Sequence, residues 1–191
     1  MVLQRRKEFY FVQAKVAIMD NKYFFYPNIE FDLDTIKEIV KRRLNDTVPE
    51  LASHQRPVSS EPYLIELKTK YSFLSPIYNI YVTGPGVNMP THIDAKRNCT
   101  LNIPIQNTEN TYTVFYEAED ETDVVNVKER VYDVVNSKLK EIHRFSLLHP
   151  VIMNTKIPHG VIGAPDKTRV VMSWSALPDI TYTQLLEQYG S

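Results

Sequence analysis

The sequence predicts a mainly β domain, α+β in detail, with its strands folded into a sandwich or barrel and an N-terminal hairpin and helix packed outside. Three observations point there. Aromatic and β-branched runs recur at roughly 8–12-residue spacing across the middle and C-terminal parts of the chain. Turn-forming Gly, Pro, Asn and Asp stand between them. Ahead of them, Ile36, Ile39, Val40 and Arg43 fall at helical spacing.

Taken in order, Glu8–Met19 and Tyr23–Tyr26 read as the arms of a hairpin turning at Asp20-Asn21. Asp32 or Asp34 can cap a helix running to about Leu44. Residues 46–62 carry Pro49, Pro57 and Pro62 and read as a loop, with His54 a solvated residue on it. Strands follow at Tyr63–Lys70, Ile77–Val82, His92–Asp94, Cys99–Ile105 and Thr111–Tyr116. Glu117, Glu119, Asp120, Glu121 and Asp123 mark an exposed acidic loop. Val131–Val135, Ile142–Leu147, Val151–Asn154, His159–Ile162 and Thr168–Ala176 complete the strand set. Asp179–Tyr189 can form a short terminal helix. No repeat or linker interrupts the 191 residues, so one domain is expected: hairpin and helix over 1–62, core over about 63–176, tail over 177–191.

Composition narrows the class. A hydrophobic share of 43% and a charged share of 24% are those of a soluble globular protein. A net charge of −1 gives a nucleic-acid partner no support. The single cysteine, Cys99, excludes an intrachain disulfide and is expected to be buried and inert. The opening is basic, but Gln13 and Lys15 interrupt the apolar stretch after it, so neither a signal peptide nor a membrane span is expected. The cytoplasm is the expected compartment, and oligomeric state is left open.

The chemistry gathers around Pro90-Thr91-His92-Ile93-Asp94. On an extended chain alternate side chains share a face, so His92 and Asp94 project together. A divalent metal held by that pair needs a third ligand, for which His159 is the best candidate. Two imidazoles and one carboxylate on one face of an ion, with the other positions open, form the facial triad of non-haem iron(II) sites. Ten residues after His159 comes Arg169, which would share a strand face with Val171 and Ser173. Each candidate has a plainer reading. A His-x-Asp tripeptide is common by chance, His159 could cap a turn, and Arg169 could pair with a structural carboxylate or point to water. A buried guanidinium without a partner costs several kcal/mol, so its direction is decisive. Trp174 is expected in the core opposite Arg169; His143 and His149 are assigned to packing or solvent.

Taken together, these residues resemble the Fe(II)/2-oxoglutarate-dependent oxygenases. That family's double-stranded β-helix, or jelly roll, carries His-x-Asp, a distal His, and an Arg or Lys about ten residues on. Here these are His92, Asp94, His159 and Arg169. Asn79-Ile80-Tyr81-Val82-Thr83-Gly84 is similar to the family's first core strand, and Arg97-Asn98-Cys99-Thr100 to the Arg-x-x-Thr of prolyl hydroxylase-like members. The likeness covers about residues 63–176. The long interval from Gly84 to His92, and the lack of a second C-terminal Arg, depart from the nucleic-acid demethylase branch and count against a nucleobase substrate.

The resemblance implies Fe(II) on His92, Asp94 and His159 as the catalytic centre, with 2-oxoglutarate as cosubstrate. Its far carboxylate would meet Arg169, helped by Ser173 and the Tyr81 hydroxyl, with Asn79, Asn102 and Thr100 as further cosubstrate contacts. Asn102 could equally be a satisfied core residue. Arg97, near the mouth, could meet an acidic substrate group or form a surface salt bridge. The expected partner is a small-molecule or peptidyl substrate, hydroxylated at an amino acid, a peptide side chain or a metabolite. Two other readings stay open: a cupin-like metal protein without 2-oxoglutarate, and a jelly-roll binding module without catalysis.

Overall fold

Arg169–Ser175 is buried along its whole length, which requires a strand covered on both faces. The computed structural model describes residues 20–44, 51–118, 124–128, 131–134 and 139–190, and in it this strand lies inside a sheet. In chain order the elements are β1 (Phe24–Phe25), α1 (Leu33–Leu44), β2 (Leu51–Pro57), α2 (Pro62–Lys70), β3 (Ile77–Thr83), β4 (Met89–Asp94), β5 (Cys99–Gln106) and β6 (Tyr112–Ala118). There follow β7 (Val124–Lys128), β8 (Val131–Val134), β9 (Leu139–Phe145), β10 (Val151–Asn154), β11 (His159–Ile162), β12 (Arg169–Ser175) and α3 (Tyr182–Tyr189).

The strands form two antiparallel sheets, ordered β1-β10-β5-β12-β3-β2 and β7-β8-β4-β11-β6-β9. From β3 to β6 the chain crosses from sheet to sheet at each step, and it does so again from β9 to β12. That winding is a double-stranded β-helix, the jelly roll expected from the sequence.

Alternation along β12 divides the molecule. Val170, Met172 and Trp174 face outward with Ile80, Val82, Leu101 and Ile103 into the larger apolar core. Helix residues Ile36, Ile39, Val40, Leu64, Leu67, Tyr182 and Leu185 cover that core. Trp174 is fully buried, and its indole N–H donates to the Ser75 carbonyl at 2.8 Å. Phe24, Phe115, Leu147, Val151, Met153 and Val171 make a smaller cluster.

The helix ends follow local chemistry. Asp32 Oδ1 accepts from the backbone N–H groups of Asp34 and Thr35 at 3.1 Å, so Asp32 caps α1. Thr181 and Gln184 form a capping box at α3.

Several expectations are corrected. Tyr63–Lys70 is not a strand but the body of α2. Pro62 opens that helix where its missing N–H costs nothing. Leu64 and Leu67, three apart, are buried, whereas Ile65 is 44% exposed. A strand would have grouped Tyr63, Ile65 and Leu67 instead. The expected loop over 46–62 contains β2, an edge strand on β3 that holds the His54 backbone. Pro57, its last residue, is tolerated at that edge. Glu117, expected in the acidic loop, ends up in β6, and Val124–Lys128, where no strand is expected, forms β7 and pairs with β8. The expected strands at Val131–Val135 and Ile142–Leu147 run over Val131–Val134 and Leu139–Phe145. The first hairpin arm, Glu8–Met19, lies outside the described residues, as do Glu119–Asp123. Of the second arm, Phe24–Phe25 pairs with β10.

The assignment of α2 predicts unequal costs for neighbouring truncations. Leu64→Ala should lose about 2–5 kcal/mol in urea unfolding, and Ile65→Ala less than about 1 kcal/mol. Equal losses would contradict the helical face.

Candidate metal and anion site

The cavity grows out of strand pairing. Strand β11 lies between β4 and β6, with His159 opposite His92 on one side and Phe115 on the other. The imidazole centroids of His92 and His159 are 4.4 Å apart. Asp94, two residues from His92, shares its face and is 1% exposed. From the other sheet, β12 sets Val171 opposite Tyr81, Ser173 opposite Asn102 and Ser175 opposite Thr100. Together they enclose a cavity of about 270 Å³ lined by His92, Asp94, His159, Arg97, Tyr81, Thr100, Asn102, Arg169 and Ser173. Met89, Pro90, Thr113, Met153, Val161 and Val171 supply the rest of the wall. Asn79 pairs with Ser173 in register but does not line the cavity.

Backbone contacts set the form of both imidazoles. Nδ1 of His92 lies 2.8 Å from the Pro90 carbonyl, and Nδ1 of His159 lies 2.8 Å from that of Ile157. A carbonyl only accepts, so each Nδ1 carries a proton, and it is Nε2 that bears the lone pair when the ring is neutral. Burial, reinforced by the neighbouring His92, pulls the His159 pKa down to about 4 against the opposing pull of Asp94. His159 is therefore neutral near pH 7, the form that ligates metals.

Asp94 is held differently. Its Oδ1 accepts from Nη2 of Arg97 at 2.6 Å, while Nη1 of Arg97 donates to the Tyr81 hydroxyl oxygen at 3.2 Å. Burial works against the Arg97 charge, but Asp94 and Tyr81 outweigh it and raise the guanidinium above its usual range. Two imidazole nitrogens and one carboxylate suit an ion such as Fe(II), and His92, His159 and Asp94 would hold it. Among the described residues no three His, Cys, Asp or Glu side chains already stand as a formed cage.

Arg169 lines the same cavity, with no partner among the described residues. It is 5% exposed, its Nε is buried without a hydrogen bond, and no ion pair reaches it among the described residues. Burial alone lowers its pKa to about 10, so it stays cationic near pH 7. Thr100 Oγ1, also in the wall, is likewise buried without a partner among the described residues. The cavity thus holds a desolvated cation, polar groups in want of partners, and paired imidazoles.

Arg97, partly exposed in the cavity wall, forms a salt bridge, and its partner is the buried Asp94. The Asp94–Arg97 spacing of three was the signal that could have revealed it. Thr113 and Met153 carried no local signal, because only sheet pairing brings them in. His143 stacks on Tyr23 with ring centroids 5.5 Å apart, and His149 meets the Tyr26 ring at 6.2 Å; neither lines the cavity. Cys99 is buried, which pushes its thiol up to about 12.

Fold and cavity define a double-stranded β-helix with a pocket lined by two histidines, one carboxylate and two arginines. No family model matches the sequence, and no curated protein matches it either. Solved structures share the fold. HygX from Streptomyces hygroscopicus with nickel and 2-oxoglutarate bound superposes with a TM-score of 0.54 at 8% identity, over 85% of this chain and 85% of that one. The non-heme alpha ketoglutarate dependent carbocyclase SnoK from nogalamycin biosynthesis gives 0.54 at 8% identity, over 85% and 84%. HygX with nickel, 2-oxoglutarate and hygromycin B bound gives 0.51 at 10% identity, over 85% and 86%. No helix among the described residues is long and apolar enough to cross a membrane.

The lowered pKa of His159 makes stability pH-dependent. The unfolded chain takes up this proton below about pH 6.5, whereas the folded chain resists until about pH 4. Stability is therefore full above pH 6.5 and lost as pH falls toward 4, by about 3 kcal/mol from this residue. Unfolding curves of the metal-free protein should show that loss, and His159→Gln should flatten it.

Proposed function

We propose that this protein is an Fe(II)- and 2-oxoglutarate-dependent oxygenase that hydroxylates a peptide side chain, an amino acid or a small metabolite. The observation that carries the proposal is the Arg169 guanidinium, buried in the cavity wall with no counter-charge among the described residues. Such a group calls for an anion, and a carboxylate meets it with paired hydrogen bonds. The paired imidazoles and Asp94 line the same cavity, so an anion on Arg169 and an ion on His92, His159 and Asp94 would share one space. The likeness to HygX and SnoK supports the fold on which that arrangement rests.

In this reading the side chains bind, orient and exclude water. His92 and His159 offer Nε2 because their Nδ1 protons are committed to backbone carbonyls. Asp94 supplies the anionic ligand. Arg169 and Ser173 receive the far carboxylate of the cosubstrate, and Thr100 and Asn102 offer polar contacts along the wall. When bound, iron and 2-oxoglutarate supply the oxidising chemistry: the cosubstrate is cleaved to succinate and CO₂, and one oxygen of O₂ passes to the substrate. Met89, Pro90, Val161 and Val171 keep the surroundings apolar. A second reading, an anion-binding jelly roll without metal, is favoured by one observation, the hold of Arg97 on Asp94 where no cage is formed. The metal content of the purified protein separates the two.

Under anaerobic conditions with Fe(II), 2-oxoglutarate at about 100 times its Kd should stabilise the protein by about 2.7 kcal/mol. Arg169→Met should abolish that gain. It should also stabilise the ligand-free protein by about 3 kcal/mol, because it removes an unpaired buried charge. A Met variant that still responds to 2-oxoglutarate would overturn the assignment of Arg169. A wild-type protein that neither binds 2-oxoglutarate nor releases succinate would overturn the function.

A further inference from the structure

The Asp94 carboxylate has two oxygens, and the fold treats them differently. Its side chain is 2% exposed and that of Arg97 is 23% exposed. Oδ1 accepts from Arg97, whereas Oδ2 accepts no hydrogen bond among the described residues. Arg97 cannot swing off freely, because the Tyr81 hydroxyl oxygen takes a second of its N–H groups. The backbone of this turn is also tied down. Asp94 N–H donates to the Thr155 carbonyl at 3.0 Å, and Thr155 Oγ1 donates to the Arg97 carbonyl at 2.8 Å. Lys156 Nζ donates to the carbonyls of Asp94 and Ala95 at 3.0 and 2.9 Å. The turn that folds Arg97 back onto Asp94 is thus stapled to the segment that leads into His159.

That asymmetry has a chemical consequence for an ion on His92, His159 and Asp94. A carboxylate free on both oxygens can chelate, and chelation takes up a position the cosubstrate or O₂ needs. A guanidinium on one oxygen occupies a lone pair and crowds the approach there, which leaves the other oxygen the preferred donor. We propose that Arg97 is a positioning residue that engages Oδ1 of Asp94, so that Asp94 ligates through Oδ2 alone and three positions on the ion stay open. Tyr81 then acts through Arg97, bracing the guanidinium on the side away from Asp94. The inference rests on the metal-site reading above and adds to it a residue that touches neither metal nor cosubstrate.

Co(II), titrated anaerobically into the metal-free full chain, tests this through binding and absorption rather than turnover. Wild type should bind one equivalent and then take up 2-oxoglutarate with a change in the Co(II) ligand-field spectrum. Arg97→Met should weaken Co(II) binding by about 10–100-fold, the usual cost of losing a partner that orients a ligand. Its Co(II) spectrum should also differ from wild type before 2-oxoglutarate is added. Arg97→Lys should recover part of the affinity, because an ammonium can still donate to Oδ1 but cannot bridge to Tyr81. Should Arg97→Met fail to fold, Arg97→Gln is the substitute, with at least a tenfold loss expected on the same ground. Wild-type affinity and spectrum in a folded Met or Gln variant would overturn the role of Arg97 while leaving the metal site standing. An equal loss in Met and Lys variants would likewise overturn it, since a purely structural role predicts no rescue. A wild-type chain that takes up no Co(II) would remove the metal site itself, and this inference with it.

Discussion

A guanidinium held out of water, with no opposite charge beside it among the described residues, is the constraint on which this structure turns. Arg169 is nearly inaccessible, and among the described residues the influence on its charge is burial, which disfavours it. A protein keeps such a group only if the surrounding fold supplies a surplus of stability. The surplus lies on the other face of the same strand. Val170, Met172 and Trp174 pack into the main apolar core under three helices, and the Trp174 N–H is satisfied by a backbone carbonyl. One strand therefore carries the principal core residues and the least stable charge, separated only by the alternation of its side chains.

The opposing sheet supplies what the cation lacks in chemistry. His92 and His159 come from strands that meet only because β11 inserts between β4 and β6. Their tautomers are decided before any ligand arrives, by carbonyls two residues back in each chain segment. Asp94 is prepared in another way, by an ion pair with Arg97 that leaves one oxygen uncommitted. Two kinds of preorganisation, a backbone contact for imidazole and a side-chain contact for carboxylate, serve one cavity.

The likeness to HygX and SnoK at 8% identity is understandable in these terms. A jelly roll needs inward and outward alternation and turns in the right places, and many sequences meet that need. What it does with its interior depends on a handful of inward positions, here those of β3, β4, β5, β11 and β12.

The sequence by itself determined the inward and outward faces and the residue types on them. His92 with Asp94, and Arg169 with Ser173, were legible because strand alternation is local and has a period of two. The cap of α1 was legible as Asp32 or Asp34 for the same reason, since a cap is satisfied within a few residues. Only the tertiary structure decided that Tyr63–Lys70 is a helix, because its apolar residues fit two periods and burial against the outer sheet face selects one. Strand β2 exists because β3 offers an open edge, which no local pattern of Ser, His and Pro announces. The placing of His159 against His92, the capture of Asp94 by Arg97 and the lack of any anion near Arg169 among the described residues are likewise tertiary facts. Each depends on which strands lie side by side, and that is settled by the packing of the whole chain.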